Sequence, residues 1–219
     1  MGYNSCQVEP DNNSYFCGSF DNISEGGKFT LGQIKPDEEL WNQWGEGDYI
    51  ATLNDVGVQD EYFTYVDGDW FVCDEFGAPE GDPINDRTLD SNVGYLVYSY
   101  LGASLTFSGA VAQGECEMLV DPDHNAYSGN FTPAPLKIGD IVVGEEWNAW
   151  GEGDYIATLN NVGVQENYYT CVDGEWMNCD EFGSPFGDTV NESVSFDPNK
   201  VLLTYSYLGA TLNYPSPIK

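Results

Sequence analysis

The stretch WGEGDYIATLN occurs twice without a difference, at Trp44–Asn54 and at Trp150–Asn160. The identity sits inside a longer match. WNQWGEGDYIATLNDVGVQ is answered by WNAWGEGDYIATLNNVGVQ, and YFTYVDGDWFVCDEFGAPEGD by YYTCVDGEWMNCDEFGSPFGD. YSYLGASL (Tyr98–Leu105) returns as YSYLGATL (Tyr205–Leu212), and VEPDNNSYFCGSF (Val8–Phe20) as VDPDHNAYSGNF (Val120–Phe131). A binding motif used twice would be a short match in unlike surroundings. This match runs through almost the whole chain, so the chain is a duplication, with copies over residues 1–115 and 116–219. Copies of ~105 residues are too long for solenoid repeats of about 20–50 residues and have the size of a small domain.

The pattern inside each copy is β. VDGDW and VDGEW place Asp-Gly between β-prone runs, the strongest short hairpin signal. GYLVYSYLGASLTFSGAV reads as strand, short turn, strand. On its first arm Leu96, Tyr98 and Tyr100 share one face, kept in the second copy as Leu203, Tyr205 and Tyr207, whereas Val97 on the other face becomes Thr204. The first face is therefore expected to be the core face. Gly and Pro punctuate the chain about every ten residues, as in sandwiches and barrels. A short helix is expected at Pro36–Trp44, with proline at its start. The fold expected is all-β: two tandem sandwich or barrel-like domains.

The chain is 41% hydrophobic and 15% aromatic, enough to build cores. Its 37 acids stand against 6 Lys and Arg, for a formal net charge of −31. Such a surface repels nucleic acid and anionic membranes and attracts cations. Salt would screen its self-repulsion. No apolar run approaches the roughly 20 residues of a spanning helix, so membrane insertion is not expected.

Six cysteines in an acidic, turn-rich chain point to disulfides and an extracellular or cell-surface location. None forms a C-x-x-C pair, which argues against zinc and thioredoxin-like chemistry. Cys73 and Cys179 are equivalent, Cys6 and Cys116 open their copies, and Cys17 and Cys171 have no counterparts. The pairing expected is Cys73–Cys116, Cys6–Cys17 and Cys171–Cys179. The rival is Cys6–Cys73, Cys116–Cys179 and Cys17–Cys171.

Candidates for chemistry are few. The single histidine, His124, lies in the turn DPDHN where the first copy has Asn12, and a catalytic triad demands far more geometry than a turn histidine supplies. The carboxylate pairs Glu46/Asp48, Asp74/Glu75, Glu152/Asp154 and Asp180/Glu181 are what 37 acids produce by chance. No catalytic residue is assigned and no enzymatic activity is expected. The tryptophans fall in repeat pairs, Trp41/Trp147, Trp44/Trp150 and Trp70/Trp176. Trp44 and Trp150 are candidate stacking platforms for sugar rings, against the alternative that they anchor the core. The turns EPDNN and DPDHN present Glu9, Asp11 and Asn13, and Asp121, Asp123 and Asn125, at alternate positions. That spacing resembles the start of a calcium loop but lacks its glycine and closing glutamate, so weak calcium binding is expected and no cofactor is required.

The order of motifs resembles an uncharacterised β-rich tandem repeat of large secreted bacterial proteins, in which a GNPFP-like turn leads to a GDI segment, a Trp-bearing hairpin and a TFSG strand. SGNFTPAPLKIGDI (Ser128–Ile141), the VDGEW hairpin and LTFSGAV (Leu105–Val111) carry the likeness. CGSFD and SGNFT replace the NPFP turn, and the second copy closes in LNYPSP. The resemblance implies secretion and a repeat architecture and supplies no catalytic residue. The function expected is a secreted, non-enzymatic structural or adhesive module that self-associates or binds an extracellular surface partner; the alternative is a polysaccharide-binding module using Trp44 and Trp150.

Overall fold

The Asp-Gly hairpins form where the sequence places them. Asp67 and Gly68 (φ 51° and 97°) and Asp173 and Gly174 (φ 50° and 83°) all take positive φ, as a two-residue type I′ turn requires. They join Gln59–Val66 to Asp69–Cys73, and Gln165–Val172 to Glu175–Cys179. The structure, a computed structural model, describes residues 2–8, 10–17, 20–21, 29–36, 44–54, 57–89, 94–111, 116–129, 134–144, 150–160, 163–197 and 200–215. Among these, the regular structure is antiparallel β strand apart from the 3-10 turns Leu31–Gln33 and Ile138–Asp140.

Each hairpin belongs to a sheet of six strands among the described residues. In the first half the order is Asn12–Cys17, Gly94–Ser99, Tyr49–Leu53, Gln59–Val66, Asp69–Cys73, Pro79–Glu80. In the second it is His124–Gly129, Val201–Ser206, Tyr155–Leu159, Gln165–Val172, Glu175–Cys179, Pro185–Thr189. Opposite each lies a smaller sheet, centred on Ala103–Val111 paired with Gly2–Val8, and on Ala210–Tyr214 paired with Cys116–Val120. No strand pairing among the described residues joins one half to the other.

The facing sheets share one core in each half. Ile50, Phe63, Trp70 and Val97 meet Val8, Leu105 and Phe107; Ile156, Trp176 and Leu202 meet Val120, Leu212 and Tyr214. Both hairpin tryptophans are fully buried, and each donates its indole N–H to a backbone carbonyl, Trp70 to Ile34 (2.9 Å) and Trp176 to Ile141 (3.0 Å). An amide caps each hairpin: Asn85 Oδ1 accepts the Trp70 N–H and Asn191 Oδ1 the Trp176 N–H.

Two expectations are corrected here. The strand Gly94–Ser99 turns Tyr95 and Val97, not Leu96, Tyr98 and Tyr100, into the core between its sheets. The reason is that both faces of this strand are covered. Gly94, on the Leu96 face, lies against Val201 and Tyr127 of the other half, where Val201 and Leu203 form a separate buried cluster with Leu159. Tyr100 and Tyr207 are exposed. The disulfides are the second correction: Cys73, Cys171 and Cys179 are free thiols, so Cys73–Cys116, Cys171–Cys179 and all three bridges of the rival set are not formed. Cys171 pairs across the ladder with Trp176, and Cys179 with Tyr168. This odd offset turns the two thiols to opposite faces. Burial pushes the Cys73 and Cys179 thiols up to about 12. The side chains of Cys6, Cys17 and Cys116, and with them the pairing Cys6–Cys17, lie outside the described residues, as do residues 37–43 of the helix expected at Pro36–Trp44; Pro36, its expected first residue, instead closes the strand Ile34–Pro36. No helix among the described residues is long and apolar enough to cross a membrane, which says nothing of β-barrels.

Candidate functional site

The identical stretch WGEGD builds the centre of a turn cluster in each half. Asp48 follows the turn at Gly45–Gly47 and is buried. Its Oδ2 accepts the Gly45 N–H (2.9 Å) and the Ser99 hydroxyl (2.8 Å), and its Oδ1 accepts the Tyr100 N–H (2.8 Å). Asp154 does the same with Gly151 (2.9 Å), Ser206 (2.9 Å) and Tyr207 (2.8 Å). One carboxylate thus ties two turns together. A third joins by backbone contact: a Cβ on Gly77 would lie 2.7 Å from Gly47 Cα, and one on Gly183 2.7 Å from Gly153 Cα. In that third turn Asp74 Oδ1 accepts the N–H groups of Phe76 and Ala78, and Asp180 Oδ1 those of Phe182 and Ser184.

Of each carboxylate pair read from sequence, Asp48, Asp154, Asp74 and Asp180 are therefore occupied by backbone donors, while Glu46, Glu75, Glu152 and Glu181 are exposed. Burial raises the Asp48 pKa, against the lowering effect of the Tyr100 and Gly45 N–H groups and the Ser99 hydroxyl.

Trp44 and Trp150 are half-buried beside these turns. Each meets its hairpin tryptophan edge to face, Trp44 with Trp70 at 5.6 Å and Trp150 with Trp176 at 5.4 Å. Trp150 also donates its indole N–H to Thr170 Oγ1 (3.1 Å); the Trp44 indole N–H has no partner among the described residues. A cleft of about 440 Å³ opens beside Trp150, bordered by Glu152, Cys171, Val172, Asp173 and Pro185. Cys171 was singled out in the sequence only as a candidate bridge. Its place in the cleft is visible in the alignment of copies, where Tyr65 stands at the same position, but only once the cleft itself is known.

The calcium candidates fall at the opposite edge of each six-stranded sheet from the hairpins. Asp11 and Asp123 take left-handed φ of 53° and 57° and accept the hydroxyls of Tyr98 and Tyr205, both at 2.8 Å. Asp121 is exposed, and Asn13 and Asn125 are half-buried; Glu9 lies outside the described residues, as do Trp41 and Trp147. Among the described residues no three His, Cys, Asp or Glu side chains are grouped to hold a metal. His124 is exposed and donates from Nδ1 to the Pro122 carbonyl (2.8 Å).

The tyrosines form a repeated stack on the same sheet. Tyr49 stacks on Tyr98 (5.5 Å) and meets Tyr62 edge to face (5.3 Å); Tyr155 does so with Tyr205 (5.5 Å) and Tyr168 (5.3 Å). The aspartate bond, with burial, pushes the Tyr98 and Tyr205 hydroxyls up to about 12. Compared with known proteins, the chain matches no family model, no curated protein and no solved structure.

Proposed function

We propose that the chain is a secreted, non-enzymatic adhesive or structural module made of two tandem β-sandwich domains, which contacts a protein partner or further copies of itself through its turns. The observation that carries this is a set of exposed apolar side chains, repeated residue for residue. Phe76 and Phe182 are 75% and 72% exposed, and Tyr100 and Tyr207 are 64% and 63% exposed. Leu101 and Leu208, and Val58 and Val164, are exposed in the same way. Single exposed apolar residues are ordinary; an identical set, with Tyr100 and Tyr207 on turns tied to a buried aspartate and Phe76 and Phe182 on the turns packed against them, supports a contact surface presented twice. Two copies raise avidity through effective concentration. The use of Asp48, Asp74, Asp154 and Asp180 as backbone acceptors supports a scaffold role for the repeated acids.

Sizing and electron microscopy of the chain, with and without calcium, test the reading. Phe76→Ser/Phe182→Ser and Tyr100→Ser/Tyr207→Ser are expected to abolish self-association or surface binding while the fold is retained. Turnover of any glycan or peptide by the isolated chain would overturn it. Calcium is the proposed cation at the Asp121–Asn125 and Glu9–Asn13 turns, with affinity of about 10⁻⁴–10⁻³ M. Sodium chloride at equal ionic strength, which screens charge without filling a site, is the control.

A further inference from the structure

We propose that the cleft beside Trp150 binds an organic cation, an ammonium group carried on a flat apolar body, and that Cys171 in the second copy is what leaves room for it. The volume, about 440 Å³, lies within the usual range for small-ligand sites. Its aromatic wall is held in place. Trp150 is bonded through its indole N–H to Thr170 and set edge to face on Trp176, so a ligand meets a fixed ring. Val172 and Pro185 add apolar surface.

The charge of the lining selects the ligand. Glu152 and Asp173 both border the cleft and are exposed, and none of the described lining residues is basic. Two backbone donors of the lining that could serve a sugar or an anion are already taken, Gly151 N–H by Asp154 and Ser184 N–H by Asp180. Acceptor oxygens around a tryptophan ring favour a cation, which the ring face also attracts. The field of a chain with net charge −31 acts in the same direction.

The first copy supplies the internal comparison. Tyr65 stands opposite Trp70 in the ladder, as Cys171 stands opposite Trp176, and its ring lies 5.3 Å from that of Trp70. Replacing a phenol by a thiol removes a ring from the position that borders the Trp150 cleft. The proposal is independent of the adhesive reading, since surface binding through the turns can fail with this site intact.

The test is titration of the full chain with 2-phenylethylammonium chloride at constant ionic strength, followed by the Trp150 indole N–H resonance, assigned with Trp150→Phe. 2-Phenylethanol, nearly the same shape without the charge, is the control. The cation is expected to shift the resonance saturably and the alcohol far less. Cys171→Tyr, which installs the first copy's own residue, is expected to abolish the shift with the melting temperature unchanged or raised. Glu152→Gln/Asp173→Asn, on the exposed rim, is expected to weaken binding roughly 5- to 10-fold, the scale of two exposed ion pairs. Equal response to the alcohol would overturn the proposal. So would unchanged binding in Cys171→Tyr or in the rim variant, or a resonance that moves with cellohexaose but not with the cation.

Discussion

Asp48 is 2% exposed and accepts three hydrogen bonds, two at Oδ2 and one at Oδ1. An asparagine there would turn its NH2 toward the Gly45 or the Tyr100 N–H, whichever way it is placed. Asp48→Asn is expected to cost about 1–3 kcal/mol in urea unfolding at pH 7, the penalty of an unsatisfied buried group. The pH dependence has a definite sign. Burial raises the Asp48 pKa, so the stability this group contributes is fully present below the unfolded carboxylate value and is lost as pH rises through the folded one. The cost of the asparagine should therefore grow as the pH is lowered through that range. Tyr98 and Tyr205 give a second residue-scale expectation. Their hydroxyls are pushed up to about 12, first by the bonds to Asp11 and Asp123. Raised tyrosines stabilise the fold below the unfolded value near 10, and that contribution is lost as pH rises toward 12. Ultraviolet titration of Asp11→Ala/Asp123→Ala should show two tyrosines ionising earlier than in the natural chain. An unchanged titration curve would remove the hydrogen bonds from the explanation. The role of Asp48 was not legible in the sequence, because one acid among 37 carries no mark of the donors that meet it from a turn 52 residues away.

At the scale of elements, the glycines separate backbone conformation from space. Gly68 has φ of 97° and open surroundings, whereas Gly77 has φ of 78° and backbone of Gly47 where a Cβ would stand. Gly68→Ala should cost about 1–2 kcal/mol, the left-handed strain alone. Gly77→Ala should cost more, because no flexible side chain can yield; guanidinium unfolding of the two variants measures the difference, and equal costs would refute the close contact. Hairpins were legible because Asp-Gly fixes φ locally, so no distant information was needed. The face of Gly94–Ser99 was misread for the opposite reason. Alternation identifies two faces but not which cover lies on each, and here one face meets its own smaller sheet and the other meets the second half. The bridges expected of Cys73, Cys171 and Cys179 failed similarly: an acidic secreted-like composition suggests bridges, while the ladder register that keeps Cys171 and Cys179 apart is a property of pairing.

In the whole molecule the two halves meet through equivalent strands. Gly94–Ser99 lies against His124–Gly129, and Asn12–Cys17, the counterpart of His124–Gly129, lies against Val201–Ser206. The arrangement is that of an isologous dimer held in one chain. Equivalent positions face each other across it, and there the copies differ: the first has Gly94, the second Val201. A Cβ on Gly94 would lie 2.4 Å from Val201 Cγ1, and a Cβ on Gly57 2.1 Å from the Tyr127 hydroxyl. Gly94 does not have positive φ, so it is required for space and not for conformation. Glycine against valine fits; valine against valine would not, and glycine against glycine would leave a gap. The interface thus favours one copy of each kind over two alike, a specificity built from volume alone. Gly94→Val is expected to cost about 1–3 kcal/mol by overpacking and to loosen the halves, so that burial no longer raises the Tyr127 hydroxyl as it does in the natural chain. The reciprocal variant Gly94→Val/Val201→Gly moves the knob to the other side and should recover most of the loss. Calorimetry of the natural chain, both single variants and the double variant measures the coupling. If the double variant melts at or below the additive sum of the two singles, the knob-and-hole account of the pairing is wrong.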